Sequence, residues 1–444
     1  MIAFVSLFLG LIVGVVPVTV LVERPVAAVR YELDGKAAGR VDSAPWTLSL
    51  DFGAELVPHE LVAHALDAAG KEIGVARQFV NLPRPPAEVE VVLERDAKGR
   101  AEAARFSGQS LLGSRPARVT ATFDGAPLPA TESDRVALPE YNDSARHVLS
   151  IELEFTPTLR SRTDVVFGGA ESGVVRSELT AVVVRRTAPG KMPEAGDLAN
   201  LLVREGHPVP VIAVEEGPAF VCVVRGPSVA TALKSLGTGG KTTLVQQPTG
   251  RRLPQFDRDA TRFAMALEKE DRLRFIWPMP QAIAGAPRAQ LFNRSRDFMG
   301  ADAGLAWLLT RVEHPEQRPR EVHLADAAAV AGLEATASGS RRAVVLVLGD
   351  ETADASRHSP ASIRRYLQAI RVPFAVWSLK SPRLQPLAKS WGDVEDVSSV
   401  ERLEKAIERL KADLASQRVV WIQGRFLPQE IALADKVEGI ELAR

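Results

Sequence analysis

The chain has 444 residues, 46% of them hydrophobic and 25% charged, and its 55 basic side chains balance 55 acidic ones. That is a globular composition with room for roughly two to four domains, and its zero formal charge excludes a whole-molecule field drawing it to nucleic acid or an anionic membrane. The single cysteine, Cys222, excludes an internal disulfide framework and an all-cysteine zinc site, and within its apolar run it reads as a small buried hydrophobe.

Met1 to Val22 is nearly all apolar, with Gly10, Gly14, Pro17 and Thr19 among its few interruptions. Its length fits an export signal or a membrane anchor, although it lacks a starting Lys or Arg and a clear A-x-A site. Val18 to Val22 also reads as a first strand, which leaves residues 1–16 as a signal more readily than an anchor, and predicts an exported protein. From Pro17 to Leu82 the period is two: Val29, Tyr31 and Leu33 alternate with Arg30, Glu32 and Asp34 before a turn at Gly35, and Trp46, Leu48 and Leu50 repeat the pattern. These short strands predict a β-sandwich over residues 17–83.

Pro83-Arg84-Pro85-Pro86 is a stiff extended linker, because proline fixes φ and biases its predecessor away from helix. A second sandwich is predicted over residues 87–186. In it Val89, Val91 and Leu93, then Val119, Ala121 and Phe123, then Leu149, Ile151, Leu153 and Phe155 alternate with polar residues, and Leu179 to Val184 is the closing strand. Thr187-Ala188-Pro189-Gly190 with Pro193 reads as the next linker.

Beyond it, continuous apolar strands alternate with amphipathic helices, the pattern of a mostly parallel sheet covered on both faces. The candidate strands are Phe220 to Val224, Phe263 to Leu267, Leu273 to Trp277, Ala343 to Leu348, Pro373 to Trp377 and Val419 to Ile422. One helix opens at Ser359-Pro360 and carries Ile363, Tyr366, Leu367 and Ile370 on one face. Another starts near Val400 with Leu403, Ile407, Leu410 and Leu414. The fold class predicted is therefore α/β plus all-β: a doubly wound C-terminal sheet preceded by two β-sandwiches.

The stretch Arg342-Ala-Val-Val-Leu-Val-Leu-Gly-Asp350, then Asp354, a helix and Val372-Pro-Phe-Ala-Val-Trp377, resembles the second half of a von Willebrand factor A domain. The Asp326 to Leu333 helix and Gln417 to Gly424 extend the likeness over residues 197–432. Leu33-Asp34-Gly35, Pro58-His59-Glu60 and Asp67-Ala-Ala-Gly70 are similar to the immunoglobulin-like modules of bacterial proteins related to that family. The resemblance implies a metal-dependent adhesion loop, in which D-x-S-x-S at the end of the first strand offers oxygens to Mg²⁺. Here that strand runs Phe220-Val-Cys-Val-Val-Arg225-Gly-Pro-Ser228, with no carboxylate between Phe220 and Ala230. Arg225 stands about where the aspartate belongs, so no bound metal is expected.

Arg225 is expected to pair with Asp350 across the strand ends, replacing the lost ion's charge, and Ser228, Glu351 and Asp354 complete the candidate binding loops. Ligands of doubly wound sheets gather at this edge. The function expected is non-enzymatic protein binding of the adhesion type, without cofactor or nucleic acid. The alternatives are a structural subunit of an envelope complex and a hydrolase with an unrecognised site. Gly237-Thr-Gly-Gly-Lys241-Thr242 fails the phosphate-loop spacing because Ser235 stands where glycine is required. No H-E-x-x-H or G-x-S-x-G motif occurs, and the seven histidines read as solvated or capping groups. Trp277, Trp307, Trp377, Trp391 and Trp421 read as core, and Arg341-Arg342 as a solvated flank.

Overall fold

The computed structural model describes residues 2–4, 11–22, 26–83, 87–96, 99–110, 116–129, 134–145, 147–156, 159–168, 171–176, 179–187, 198, 201–234, 243–246, 252–255, 265–282, 290–312, 321–434 and 439–443. They form two compact units, one of Met1–Pro83, Thr180–Ile422 and Phe426–Arg444, the other of Arg84–Leu179 with Gln423–Arg425.

The first unit begins with a β-sandwich. A sheet of Ile2–Phe4, Val15–Val22 and Thr47–Asp51 shares one core with a sheet of Lys36–Val41, Ala28–Leu33, His59–Leu66 and Glu72–Val80. Alternation sends Val29 and Tyr31 inward with Val18, Val20, Leu50, Leu61 and Ala63, and the Tyr31 hydroxyl donates to the Trp46 carbonyl at 2.6 Å. The sandwich starts earlier than residue 17. Ile2–Phe4 pairs with Val20–Val22, and Ile2 and Phe4 are buried. No helix among the described residues is long and apolar enough to cross a membrane.

The second unit repeats this plan. Ala87–Arg95, Ala101–Ser110 and Arg135–Ala137 form one sheet; Ala126–Pro127, Arg118–Phe123, His147–Thr156 and Leu159–Gly168 form the other, extended by Glu171–Arg176. Numbered in chain order within each sandwich, both have a 1-2-5 sheet against a 4-3-6-7 sheet. The strand Leu179–Arg186, which alternation assigned to this sandwich, joins another sheet. It lies with Val211–Glu215, Gln417–Gln423 and Ile440–Leu442 in the first unit, over a core of Val182, Val184, Val420 and Ile422.

That sheet carries the α/β part as an insertion. Val211–Glu215 and Gln417–Gln423 are antiparallel neighbours, with Glu215 opposite Val419, so the segment between them leaves and returns at adjacent points. Val419 to Ile422 is therefore not a strand of the parallel sheet, because its partner Val211–Glu215 lies outside it. Met265 to Leu267 is not a strand either, and Met265 takes a positive φ of 57°.

The inserted sheet has strands β1 (Ala219–Arg225), β2 (Arg272–Ala282), β3 (Gln290–Arg294), β4 (Arg341–Leu348), β5 (Phe374–Ser378) and β6 (Glu395–Asp396). Their spatial order is 3-2-1-4-5-6; β3 and a short seventh strand, Phe298–Met299, run antiparallel to β2, and the other neighbours are parallel. Both faces are covered, which explains the unbroken apolar runs. Val221, Val223, Val345 and Val347 face α1 (Val229–Lys234), α2 (Leu305–Arg311) and α6 (Val400–Ser416). Cys222, Val224, Val344 and Leu346 face α3 (Leu324–Ala337), α4 (Pro360–Ala369) and the Trp391 end of α5 (Ala388–Trp391). Burial pushes the Cys222 thiol well above its usual range, consistent with a packing role.

The helices start where their caps dictate. Ser359 Oγ accepts from Ser362 N–H with Pro360 in the first turn, and Ser399 caps α6 in the same way. Alanine-rich α3 approaches α4 closely, since a Cβ on Gly332 would lie 2.2 Å from Leu367 Cδ2. Arg341 and Arg342 are buried rather than solvated. Arg342 donates to the carbonyls of Thr336, Ile370 and Arg371 at the ends of α3 and α4, and Arg341 to Leu414 in α6. A cation suits the negative ends of these helices, although burial lowers Arg342 to about 10. Trp277, Trp377 and Trp391 are buried as core residues, with Trp307 and Trp421 partly buried.

Candidate functional site

From β1 the chain crosses to β2 on one side of the sheet, while β4 lies on the other, so a topological switch point opens beyond the C-terminal ends of β1 and β4. Two loops meet there: Gly226-Pro227-Ser228 after β1 and Gly349-Asp350-Glu351 after β4. Their approach requires glycine. A Cβ on Gly226 would lie 2.0 Å from Glu351 Oε1, and one on Gly349 2.3 Å from Ser228 Oγ.

Glu351, 6% exposed, joins them. Its Oε1 accepts from Ser228 Oγ at 2.5 Å and Ser228 N–H at 3.2 Å; its Oε2 accepts from Gly349 N–H at 2.7 Å. Ser228 Oγ in turn accepts from Asp350 N–H at 2.6 Å, and the buried Gln385 amide donates to the Gly349 carbonyl at 2.8 Å. The carboxylate is thus held by N–H and O–H dipoles between the loops.

The expected Arg225–Asp350 ion pair does not form. Residue 225 shares parity with Val221 and Val223, so strand alternation turns it onto the α2 face. There it donates to the Leu309 carbonyl at 2.7 Å and lies 5.9 Å from the Phe275 ring centroid. Its Nε has no hydrogen-bond partner, and burial lowers the guanidinium to about 10. Asp350, two residues past the strand end, faces solvent and pairs with Lys380 Nζ at 2.7 Å.

Asp354 serves a third place. Its carboxylate accepts from Leu324 N–H at 2.9 Å and Ala325 N–H at 3.2 Å, capping the start of α3 together with Ser356. Of the five residues predicted, Ser228, Asp350 and Glu351 therefore share one network; Arg225 lies on the α2 face, and Asp354 caps a helix.

Sequence reasoning missed the buried polar cluster beside that cap. Asp326, within α3, accepts from His358 Nδ1 at 2.8 Å and from the N–H groups of Arg357 and His358 at 2.9 and 3.2 Å. Burial alone would raise its pKa, but these bonds hold it below the usual carboxylate range. His59 and His147 are also buried against aspartates, at 2.7 Å from Asp34 and Asp124, rather than solvated. The one visible signal was an aspartate inside an alanine run. The glycine-rich stretch 237–242 lies outside the described residues.

No family model and no curated protein sequence matches the chain. Among solved structures, the fibronectin(III)-like modules of CbhA from Clostridium thermocellum match at 14% identity over 38% of this chain and 93% of theirs, with a TM-score of 0.16. The central fibronectin-III array of RIM-binding protein matches at 8% identity over 46% and 81%, with a TM-score of 0.24. A β-glucuronidase from Parabacteroides merdae matches at 13% identity over 38% and 25%, with a TM-score of 0.17. Overlaps this slight leave the β-sandwich assignment resting on the strand pairing itself.

Proposed function

We propose that this is a binding protein whose von Willebrand A-like domain, closed to divalent ions, meets a protein partner through the loops at the C-terminal edge of its sheet. The sheet order 3-2-1-4-5-6, with its antiparallel strands confined to the β2 side and an acidic loop after β4, supports the A-like reading. The observation that carries the rest is Glu351. Its two oxygens and the Ser228 hydroxyl are engaged with one another and with loop amides, Asp350 is turned to Lys380, and Arg225 stands at the end of β1. This donor set does not fit a divalent ion, which needs several free hard oxygens.

A loop pair fixed in advance suits recognition, since little ordering entropy is then lost on association. The reading is non-enzymatic and takes no cofactor. Export is proposed on the apolar composition of residues 1–16; Ile2–Phe4 packs into the first sandwich, so N-terminal mass spectrometry of protein from the envelope or the medium, which reads whether that strand is kept, tests it.

Partner binding is tested by photo-crosslinking in the producing cells. A probe at exposed Thr352 on the rim is compared with one at exposed Glu270, before the start of β2. A saturable adduct at Thr352 and none at Glu270 is the expected result. Adducts at Glu270 alone, or none at Thr352, would overturn the assignment.

A further inference from the structure

Each sandwich carries the same internal contact as well as the same strand order. In the first, Asp34 and Gly35 take positive φ of 52° and 71° in the turn after Ala28–Leu33. Asp34 Oδ2 lies 2.7 Å from His59 Nδ1, Oδ1 accepts from Glu60 N–H at 2.9 Å, and Asp34 N–H donates to the Glu60 carbonyl at 2.8 Å. In the second, Asp124 and Gly125 take φ of 49° and 81° after Arg118–Phe123. Asp124 Oδ2 lies 2.7 Å from His147 Nδ1, Oδ1 accepts from Val148 N–H at 2.8 Å, and Asp124 N–H donates to the Val148 carbonyl at 2.8 Å. Equivalent strands, turn and pin give the two modules one plan.

The modules differ at the other ring nitrogen. His59 Nε2 is buried without a hydrogen-bond partner, whereas His147 Nε2 lies 2.9 Å from the Asn142 carbonyl. A carbonyl has no proton to give and an ionised carboxylate has none either, so making both contacts as hydrogen bonds requires the imidazolium form of His147. It is 8% exposed and stacks on Phe123 at 5.1 Å, with Tyr141 edge-on at 4.9 Å and Phe167 at 6.2 Å. The titratable and charged groups around it are Asp124 on its own sheet, Tyr141 and Asp143 on the Asn142 loop, and Arg100. Arg100 lies over the Tyr141 ring and 3.7 Å from Asp143.

We propose that His147 is a pH-sensitive clamp: protonated, it ties the Asp124-Gly125 turn to the Tyr141–Ala145 loop, and on losing its proton it releases that loop. A neutral imidazole can donate to only one of the two acceptors, and the bare nitrogen then faces an oxygen lone pair. His59, with one acceptor, pins its turn without tying a second segment. The Asp124 hydrogen bond raises the His147 pKa above its ordinary value, outweighing burial. The sign follows. The contribution is complete below about pH 6.5, the unfolded value, and is lost as pH rises through the higher folded value.

The test uses the full chain with ¹⁵N-labelled histidine. Two protonated ring nitrogens are expected for His147 at pH 6.5. Amide exchange at Ala145, whose N–H donates to Asn142, should rise by roughly tenfold beyond the intrinsic rate between pH 6 and 8.5. Asp124→Asn, which tolerates the positive φ, should lower the His147 midpoint, and His147→Gln should abolish the pH dependence of the loop. If His147→Gln does not fold, the Asp124→Asn titration decides. A single protonated nitrogen on His147 at pH 6, an unmoved midpoint in Asp124→Asn, or loop exchange equal at both pH values would overturn the clamp.

Discussion

Removing the Glu351 carboxylate is the perturbation that most exposes how the rim is held. Glu351→Ala deletes the acceptor of Ser228 N–H, Ser228 Oγ and Gly349 N–H. The hydroxyl can rotate to another partner, but the two amides cannot. A donor left unmet out of water costs about 1–3 kcal/mol, so the variant should lose about 2–5 kcal/mol of stability. Glu351→Gln keeps the volume and one carbonyl oxygen but presents an NH₂ to at least one of those donors, and should lose about 1–3 kcal/mol. Asp350→Ala is the control, because its bond to Lys380 is solvent-exposed and worth less than about 1 kcal/mol. Urea unfolding followed by tryptophan fluorescence reads the α/β part, where Trp277, Trp377 and Trp391 are buried. Equal losses in Glu351→Ala and Asp350→Ala would refute the reasoning.

Gly226→Ala places a methyl 2.0 Å from Glu351 Oε1 and should cost about 1–3 kcal/mol through overpacking, with increased amide exchange at Ser228 and Gly349. Arg342→Ala should cost about 2–5 kcal/mol, since it leaves a cavity and three helix-end carbonyls short of a donor. Arg342→Met should recover at least half of that in the same unfolding assay, because the stem's packing returns without a desolvated charge. Asp326, held below the usual carboxylate range, contributes stability that is complete above the unfolded value of about 3.9 and fades as pH falls through its lower folded value. Acid unfolding of Asp326→Asn should lack that component; an unchanged acid transition would contradict it.

Periodicity made the strands and helices legible because burial on one or both faces leaves a direct mark on composition. Val29-Arg30-Tyr31 predicts a half-wet strand, and Ala343 to Leu348 one covered on both sides; both form as read. Pairing left no such mark. Val419-Val-Trp-Ile422 is as apolar as any strand of the parallel sheet, yet it lies beside Val211–Glu215, a choice made by tertiary contact across the insertion. The site divides in the same way. Ser228, Asp350 and Glu351 were found because they sit at strand ends, where position along the chain predicts position in space. Arg225 was misplaced because the last residue of a strand still obeys alternation, and its parity sends it onto the α2 face. The aspartate–histidine pairs were missed because each joins residues more than twenty positions apart through a fold that one-dimensional patterns do not contain.

A Mn²⁺ titration of the full chain, followed by calorimetry and by paramagnetic broadening of the Ser228 and Gly349 amide signals, measures most directly whether the rim is sealed by its own carboxylate. The account predicts no saturable heat at micromolar metal and unbroadened signals. A one-to-one micromolar site that broadens both amides would contradict it.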